Sequence, residues 1–217
     1  PYRFDVWSDG GNWQTGHWLT GRLGAAATGD LVAAILADYG IDDADIGELD
    51  GILDGYVIGE VTSARGALEP LAGLLMFEAA ESGEVVRFVP RAQRAVRTIG
   101  AADLAEDGEG KPLITVRRAQ ETELPAGIGI GFSDALADYR ASTAGARRLV
   151  TGSRRTQLTN TGAVMRYGVA ANLADAMLQD IWAGRATYAF ALGAGALAIE
   201  PGDVCGLATA DESATLL

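Results

Sequence analysis

Apolar and polar residues alternate with a period of two over residues 2–7 (YRFDVW), and the turn-forming run Ser8-Asp9-Gly10-Gly11-Asn12 follows at once. Alternation places one set of side chains on one face of an extended chain, so this stretch predicts a strand and a tight loop, with extended chain resuming over 13–23. The period then changes. Leu31, Val32, Ile35, Leu36 and Tyr39 form the stripe of an amphipathic helix over 30–39, with Thr28 as its cap and Gly40 as its stop. Gly55-Tyr56-Val57-Ile58 predicts a short strand. Ser63 caps a second helix whose stripe is Ala64, Ala67, Leu68, Leu71, Leu74 and Leu75. Pro70 removes a backbone donor inside that helix, which predicts a kink there or an end at Glu69. Residues 77–80 and 85–89 flank Glu81-Ser82-Gly83 and predict a hairpin.

Asp107-Gly108-Glu109-Gly110 is polar and glycine-rich, the best candidate boundary in the chain. Beyond it the pattern consists of short strand-like segments at 113–116, 128–132, 147–151, 188–192 and 204–208, the cadence of an antiparallel barrel or sandwich. Val169, Leu173, Ala176, Met177 and Ile181 keep the helical period and place one helix near 166–183, ending by Gly184. Glu200-Pro201-Gly202-Asp203 reads as the turn into the last strand. The fold class is therefore α+β. A mixed helix and hairpin domain over 1–106 precedes a β-barrel-like domain over 107–217 with one inserted helix.

At 217 residues the chain can bury a core without help from disulfides, and Cys205 is its single cysteine. One histidine, His17, and one cysteine make a zinc site improbable, so neither metal nor cofactor is expected. A net charge of −12 argues against a duplex-binding surface, which needs clustered cations, but suits a wall that DNA slides past. No run approaches the roughly 20 apolar residues that span a bilayer, and no signal peptide is present, so the chain reads as soluble. It opens on Pro1 without a methionine and enters a strand-like run directly, which reads as an internal fragment of a longer protein.

Chemistry is hard to find. No G-x-S-x-G elbow accompanies His17, Gly127-Ile-Gly-Ile-Gly-Phe has the wrong spacing for a dinucleotide turn, and there is no phosphate loop. The acidic run 42–54 fails the calcium-hand register, since Gly47 and Glu48 fall where a ligand and the turn glycine belong. The 29 carboxylates include no pair marked out by context for glycoside hydrolysis. No catalytic residue is assigned, and the chain is read as no enzyme. Arg87, Arg91, Arg94 and Arg97 form a basic run broken by Pro90, which predicts pairing with carboxylates at the surface or a subunit joint rather than nucleic-acid contact. Trp7, Trp13 and Trp18 cluster around His17. Core packing, a protein interface and a sugar platform are all open to them.

Five segments in order carry a resemblance: FDVWSDGGNWQTGHWLTGRLGAA, LDGYVIGEVTSARGALEPLAGLLMFEAAESGEVVRF, RAQETELPAGIGIGFSDALADYR, IWAGRATYAFAL and ALAIEPGDV. Together they resemble the tail hub protein of gene transfer agents and related siphophages, similar to baseplate hub and lambda-type host-specificity tail proteins. Ala26-Ala27-Thr28 departs from the proline-bearing helix start of that family, and the 193–198 run GAGALA is unusually plain. The resemblance implies a homotrimeric virion structural protein on the tail axis, joining the tail tube and distal tail ring to the tip. Its partners would be the tube, distal tail and other tail-tip proteins and the host cell surface, with DNA only as transient cargo in the channel. Such a protein is made in the bacterial cytoplasm and released in the particle. The rival reading, resting on the clustered tryptophans, is a glycan-binding module of the tail tip. A cell-wall hydrolase is a third, supported only by carboxylate number.

Overall fold

The computed structural model describes residues 25–59, 61–91, 93–108, 110–209 and 213–216. The expected strand at 2–7, the tryptophan cluster and His17 lie outside the described residues. In chain order the elements are β1 (Ala26–Ala27), α1 (Thr28–Asp38), β2 (Ala44–Asp45), β3 (Ile52–Leu53), β4 (Gly55–Tyr56), α2 (Ala64–Leu75), β5 (Phe77–Ser82), β6 (Val85–Pro90), β7 (Arg97–Gly100) and β8 (Leu104–Ala105). There follow β9 (Ile114–Arg118), β10 (Pro125–Asp134), β11 (Arg140–Arg147), β12 (Arg155–Met165), α3 (Tyr167–Ala183), β13 (Ala186–Leu192), β14 (Cys205–Ala208) and β15 (Ser213–Leu216). Helices and strands are mixed in an α+β fold. Among the described residues the strands form separate small sheets, none closed into a barrel.

Local chemistry accounts for the helix ends. Ser63 Oγ accepts a hydrogen bond from the Gly66 amide at 3.1 Å and caps α2 as expected. That helix runs unbroken through Pro70 to Leu75, so the expected end at Glu69 is corrected. Pro70 stands on an exposed face, where water can serve the carbonyl it leaves unpaired, while Ala67, Leu68, Leu71 and Leu74 are buried on the other face. For α1 the cap is Ala27, not Thr28, and no side chain caps it. Thr28 is instead fully buried in the first turn, its amide donating to the Gly51 carbonyl at 3.0 Å. Gly40 does stop α1: at φ +68° it takes the left-handed position, with Gly40 N bonded to Ala37 O and Ile41 N to Leu36 O.

The largest sheet has the order β11-β10-β12-β4. β10 and β11 form an antiparallel hairpin, but β10 and β12 are parallel, which the antiparallel cadence of the sequence does not anticipate. The expected strand at 147–151 is also corrected: β11 ends at Arg147, and 148–154 is the loop that crosses the foot of β10 to reach β12. β10 explains the arrangement. Ile128, Ile130 and Phe132 are buried on one face, and Gly127, Gly129 and Gly131 alternate with them on the other. A Cβ on Gly129 would come within 3.0 Å of Leu158, and one on Gly131 would collide with Asn160, so β12 side chains lie across the glycines.

Helix α3 covers the apolar face. Its stripe is rotated from the expected one: Ala170, Ala174, Leu178 and Trp182 are buried, and Leu173, Met177 and Ile181 only flank them. Ala170 and Ala174 let the helix approach Ala144 closely, and the strand side chains fill the remaining space. The same cluster takes in Val32, Ile35 and Leu36 of α1, the buried face of α2, and Phe77 and Phe88 of the β5–β6 hairpin, whose rings meet edge to face at 6.0 Å. A second, smaller cluster is built on Ile99, Cys205 and Leu207, with Leu104, Ile114, Tyr188, Phe190 and Leu192 against them. Its strands are β7, β14 and β15 in one sheet and β8, β13 and β9 in another. Each cluster draws on residues from both sides of position 106.

One irregularity joins the sheet to the first half of the chain. Between Gly131 and Ser133 of β10 the partner strand advances from Asn160 to Val164, a bulge that turns β12 from its exposed start to its buried end. There Val57 N donates to Gly162 O at 2.8 Å, and β4 pairs with Ala163 and Val164. A Cβ on Gly162 would strike the Val57 carbonyl, a backbone atom that cannot yield cheaply. Gly162→Ala is expected to destabilise the protein by about 1–3 kcal/mol. Gly73→Ala, in the exposed interior of α2 where a Cβ meets nothing, is expected to stabilise it by about 0.5–1 kcal/mol. Thermal melts of the two variants check both signs.

Candidate functional site

The basic run of the sequence lies where the two clusters meet. Arg87 reaches Glu48 at 2.8 Å and Asp203 at 3.4 Å, and Arg91 reaches Glu78 at 2.6 Å and Asp180 at 2.9 Å. Each arginine thus joins two elements far apart in sequence. Arg97 donates to Asp103 at 2.5 Å and to the Gly195 carbonyl at 2.7 Å. The hydrogen bond that Arg87 donates to Glu48 holds its guanidinium pKa above the ordinary range. Burial opposes charge on Arg91, yet bonds to Glu78 and Asp180 outweigh it. These three side chains pair with carboxylates of their own chain at partly exposed positions, the surface pairing that the sequence led us to expect. Arg94 alone of the run is exposed and has no ion pair among the described residues.

Beside this joint is a cavity of about 1380 Å³. Leu124 and Ile181 of the large cluster line one side, Tyr188, Phe190 and Cys205 of the small cluster the other, and Arg91 stands at its edge. Cys205 is buried, and desolvation, with Asp203 nearby, pushes its thiol up and away from the nucleophilic thiolate. Among the described residues no group of three or more metal-ligating side chains converges. In the acidic run 42–54, Asp45 Oδ1 accepts its own loop's Gly47 amide at 3.1 Å, and Ile46 and Leu49 pack on the core. The glycine-rich segment 127–131 is the inside of a sheet and not a phosphate cradle.

The sequence reading overlooked a second arginine group, at the loop that crosses the foot of β10. Trp182 Nε1 donates to the Pro125 carbonyl at 2.8 Å, and the Arg148 guanidinium lies 4.2 Å over the same indole. Ser153, itself buried, donates through Oγ to the Leu124 carbonyl at 2.5 Å and accepts the Arg155 amide at 3.2 Å. Arg155 Nη1 donates to the Glu123 carbonyl at 2.8 Å. The available signal was four arginines in the nine residues 147–155.

A family model described as "Putative phage tail protein" matches residues 63–217. No curated protein sequence matches the chain. Among solved structures, a chain of the virion of a native gene transfer agent particle is similar with a TM-score of 0.81 at 28% identity, over 95% of this chain and 47% of that one. The tail protein from Neisseria meningitidis MC58 has the same fold at a TM-score of 0.57 and 10% identity, covering 89% of this chain and 60% of its own. The prophage MuSo2 43 kDa tail protein from Shewanella oneidensis gives 0.53 at 11%, over 88% and 60%. This chain thus spans about half the length of the first and about three fifths of the other two. No helix among the described residues is long and apolar enough to cross a membrane.

Arg91→Ala is expected to cost about 1 kcal/mol at low ionic strength and less in 1 M salt, as partly exposed ion pairs do, read from melts at both salt levels. The Gly100 amide, and then Arg97, hold the Asp103 carboxyl below its ordinary range. A depressed carboxylate stabilises above its ordinary pKa, and that contribution is lost as pH falls through the folded value. Asp103→Asn should therefore lower the melting temperature at neutral pH and converge on the parent protein in strong acid.

Proposed function

This chain belongs to that phage tail protein family, and on this premise we propose that it is a structural part of a tail-tip hub standing in three copies about the tail axis. In that place it joins the tail tube and distal tail ring to the tip, meets other tail-tip proteins and the host surface, and bounds the route by which DNA leaves. The observation that carries this reading is the agreement of nearly the whole chain with one from a gene transfer agent virion. The charge of −12 supports it, because an acidic wall repels a polyanion passing close by. So does the use of Arg87, Arg91, Arg97 and the one described tryptophan, Trp182, to hold the chain's own parts together. In this role the chain turns over no substrate and needs no cofactor, and its address is the tail of the released particle.

A cryo-EM average of intact tail tips, computed without imposed symmetry, tests the proposal. Three copies around the axis are expected. Copies on a peripheral fibre or side arm would overturn it and bring carbohydrate binding forward.

A further inference from the structure

Charge is distributed very unevenly along this chain. Residues 25–86 hold thirteen carboxylates and one arginine, whereas residues 140–166 hold six arginines and no carboxylate. The acidic side is densest at 42–54, with six carboxylates and no cation. The basic side is densest at 147–155, the loop crossing the foot of β10. Both poles also expose apolar side chains: Leu149 is 96% and Val150 86% exposed at the basic pole, and Ile52 is 65% and Val57 58% exposed beside the acidic one.

Within one copy the basic loop and the end of the acidic segment lie at opposite ends of β12. Arg155 begins β12, while Ala163, eight residues on, pairs with Tyr56 next to the acidic segment. At about 3.3 Å per residue, that stretch of strand holds them roughly 25 Å apart. Some charges are matched internally: Glu48 pairs with Arg87, Asp54 with Arg166, and Arg155 bonds the Glu123 carbonyl. Among the described residues, no ion pair engages Arg147, Arg154, Asp42 or Asp50. Among the described residues, the start of β12 also has no strand on one edge, since β4 reaches only Ala163 and Val164.

We propose that copies of this chain meet head to tail, the basic loop 147–155 of one copy seated on the acidic segment 42–54 of the next. This rests on the multi-copy reading above and adds which surfaces make the contact. Like poles repel, so a two-fold pairing that set basic loop against basic loop is disfavoured. Pairing two different patches gives a heterologous contact, which closes into a ring when the rotation permits. Opposite charge supplies register and encounter rate, and the exposed leucine, valine and isoleucine side chains supply the apolar area to be removed from water.

The test uses the full-length protein and reads copy number by native mass spectrometry together with incorporation into tails. Arg147→Glu with Arg154→Glu is expected to weaken assembly about tenfold or more, and Asp42→Arg with Asp50→Arg to do the same. All four side chains are exposed and outside both clusters, and melting temperatures near the parent value show that the variants fold. Combining the two reversals in one chain should restore assembly, because every pair is remade with its signs exchanged. Independently, Val150→Cys with Ile52→Cys should give an oxidation-dependent ladder joining different copies, with Cys205 buried and silent. Charge-reversed variants that assemble like the parent would overturn the proposal while leaving the hub reading intact. Single reversals that fail without rescue by the double reversal would also overturn it and assign these patches to other partners. A parent protein present as one copy per tail would remove both readings.

Discussion

The close approach of α3 to the β10–β11 hairpin is the constraint from which most of the fold follows. The helix presents Ala170 and Ala174 to a sheet that offers Ala144, Ile128, Ile130 and Phe132, so small helix residues meet large strand residues. A larger side chain at either alanine would lift the helix and open the space that these residues fill. The alternation of Ile and Phe with Gly along β10 fixes which face receives the helix. The opposite face, lacking Cβ atoms, accepts the side chains of β12 lying flat across it.

From that packing the connectivity becomes intelligible. With the helix on one face and β11 on one edge, β12 takes the free edge of β10, and the chain crosses the foot of β10 to get there. The crossing loop is tied by the Ser153 bond to the Leu124 carbonyl and by the Arg148 guanidinium stacked on Trp182, whose indole donates in turn to the Pro125 carbonyl. Backbone groups that a strand would have paired are served here by side chains, as a loop lying against a buried corner requires. The bulge at the far end then turns β12 to meet β4.

The joint between the two clusters is made differently. The Arg87–Asp203 ion pair crosses it, and a large cavity lined from both clusters lies beside it, so it is loosely filled compared with either core. Charged pairs fix orientation through their geometry while adding modest stability, which suits a part whose position is completed by neighbours in an assembly. A tail component of the family identified above works in such a setting. The pole-to-pole charge separation along β12 is the other feature that a solitary globular domain has no need of.

Periodicity alone was enough to place α1, α2, α3 and the β5–β6 hairpin, because helical stripes and a turn flanked by alternating residues are local properties. The Ser63 cap and the Gly40 stop were legible for the same reason: each acts on backbone within a few residues. β11 and β12 were not legible, since RASTAGAR and RTQLTNTGAVM carry little apolar alternation and hold their place through pairing with β10. The phase of α3 was misread because alanines that permit close approach weigh little in a hydrophobic pattern, although they are the residues most deeply buried. Pairing partners for the arginines came only from the tertiary structure, since Arg87 with Asp203 and Arg91 with Asp180 join residues about a hundred positions apart. Sequence by itself determined the helices, the Ser63 cap and the Gly40 stop, the acidic excess and the absence of a nucleophile motif, all of which depend on residue type and near neighbours. Parallel pairing, the crossing corner and the separation of charge to opposite ends of one strand were decided by tertiary structure, because they depend on which distant segments share an edge.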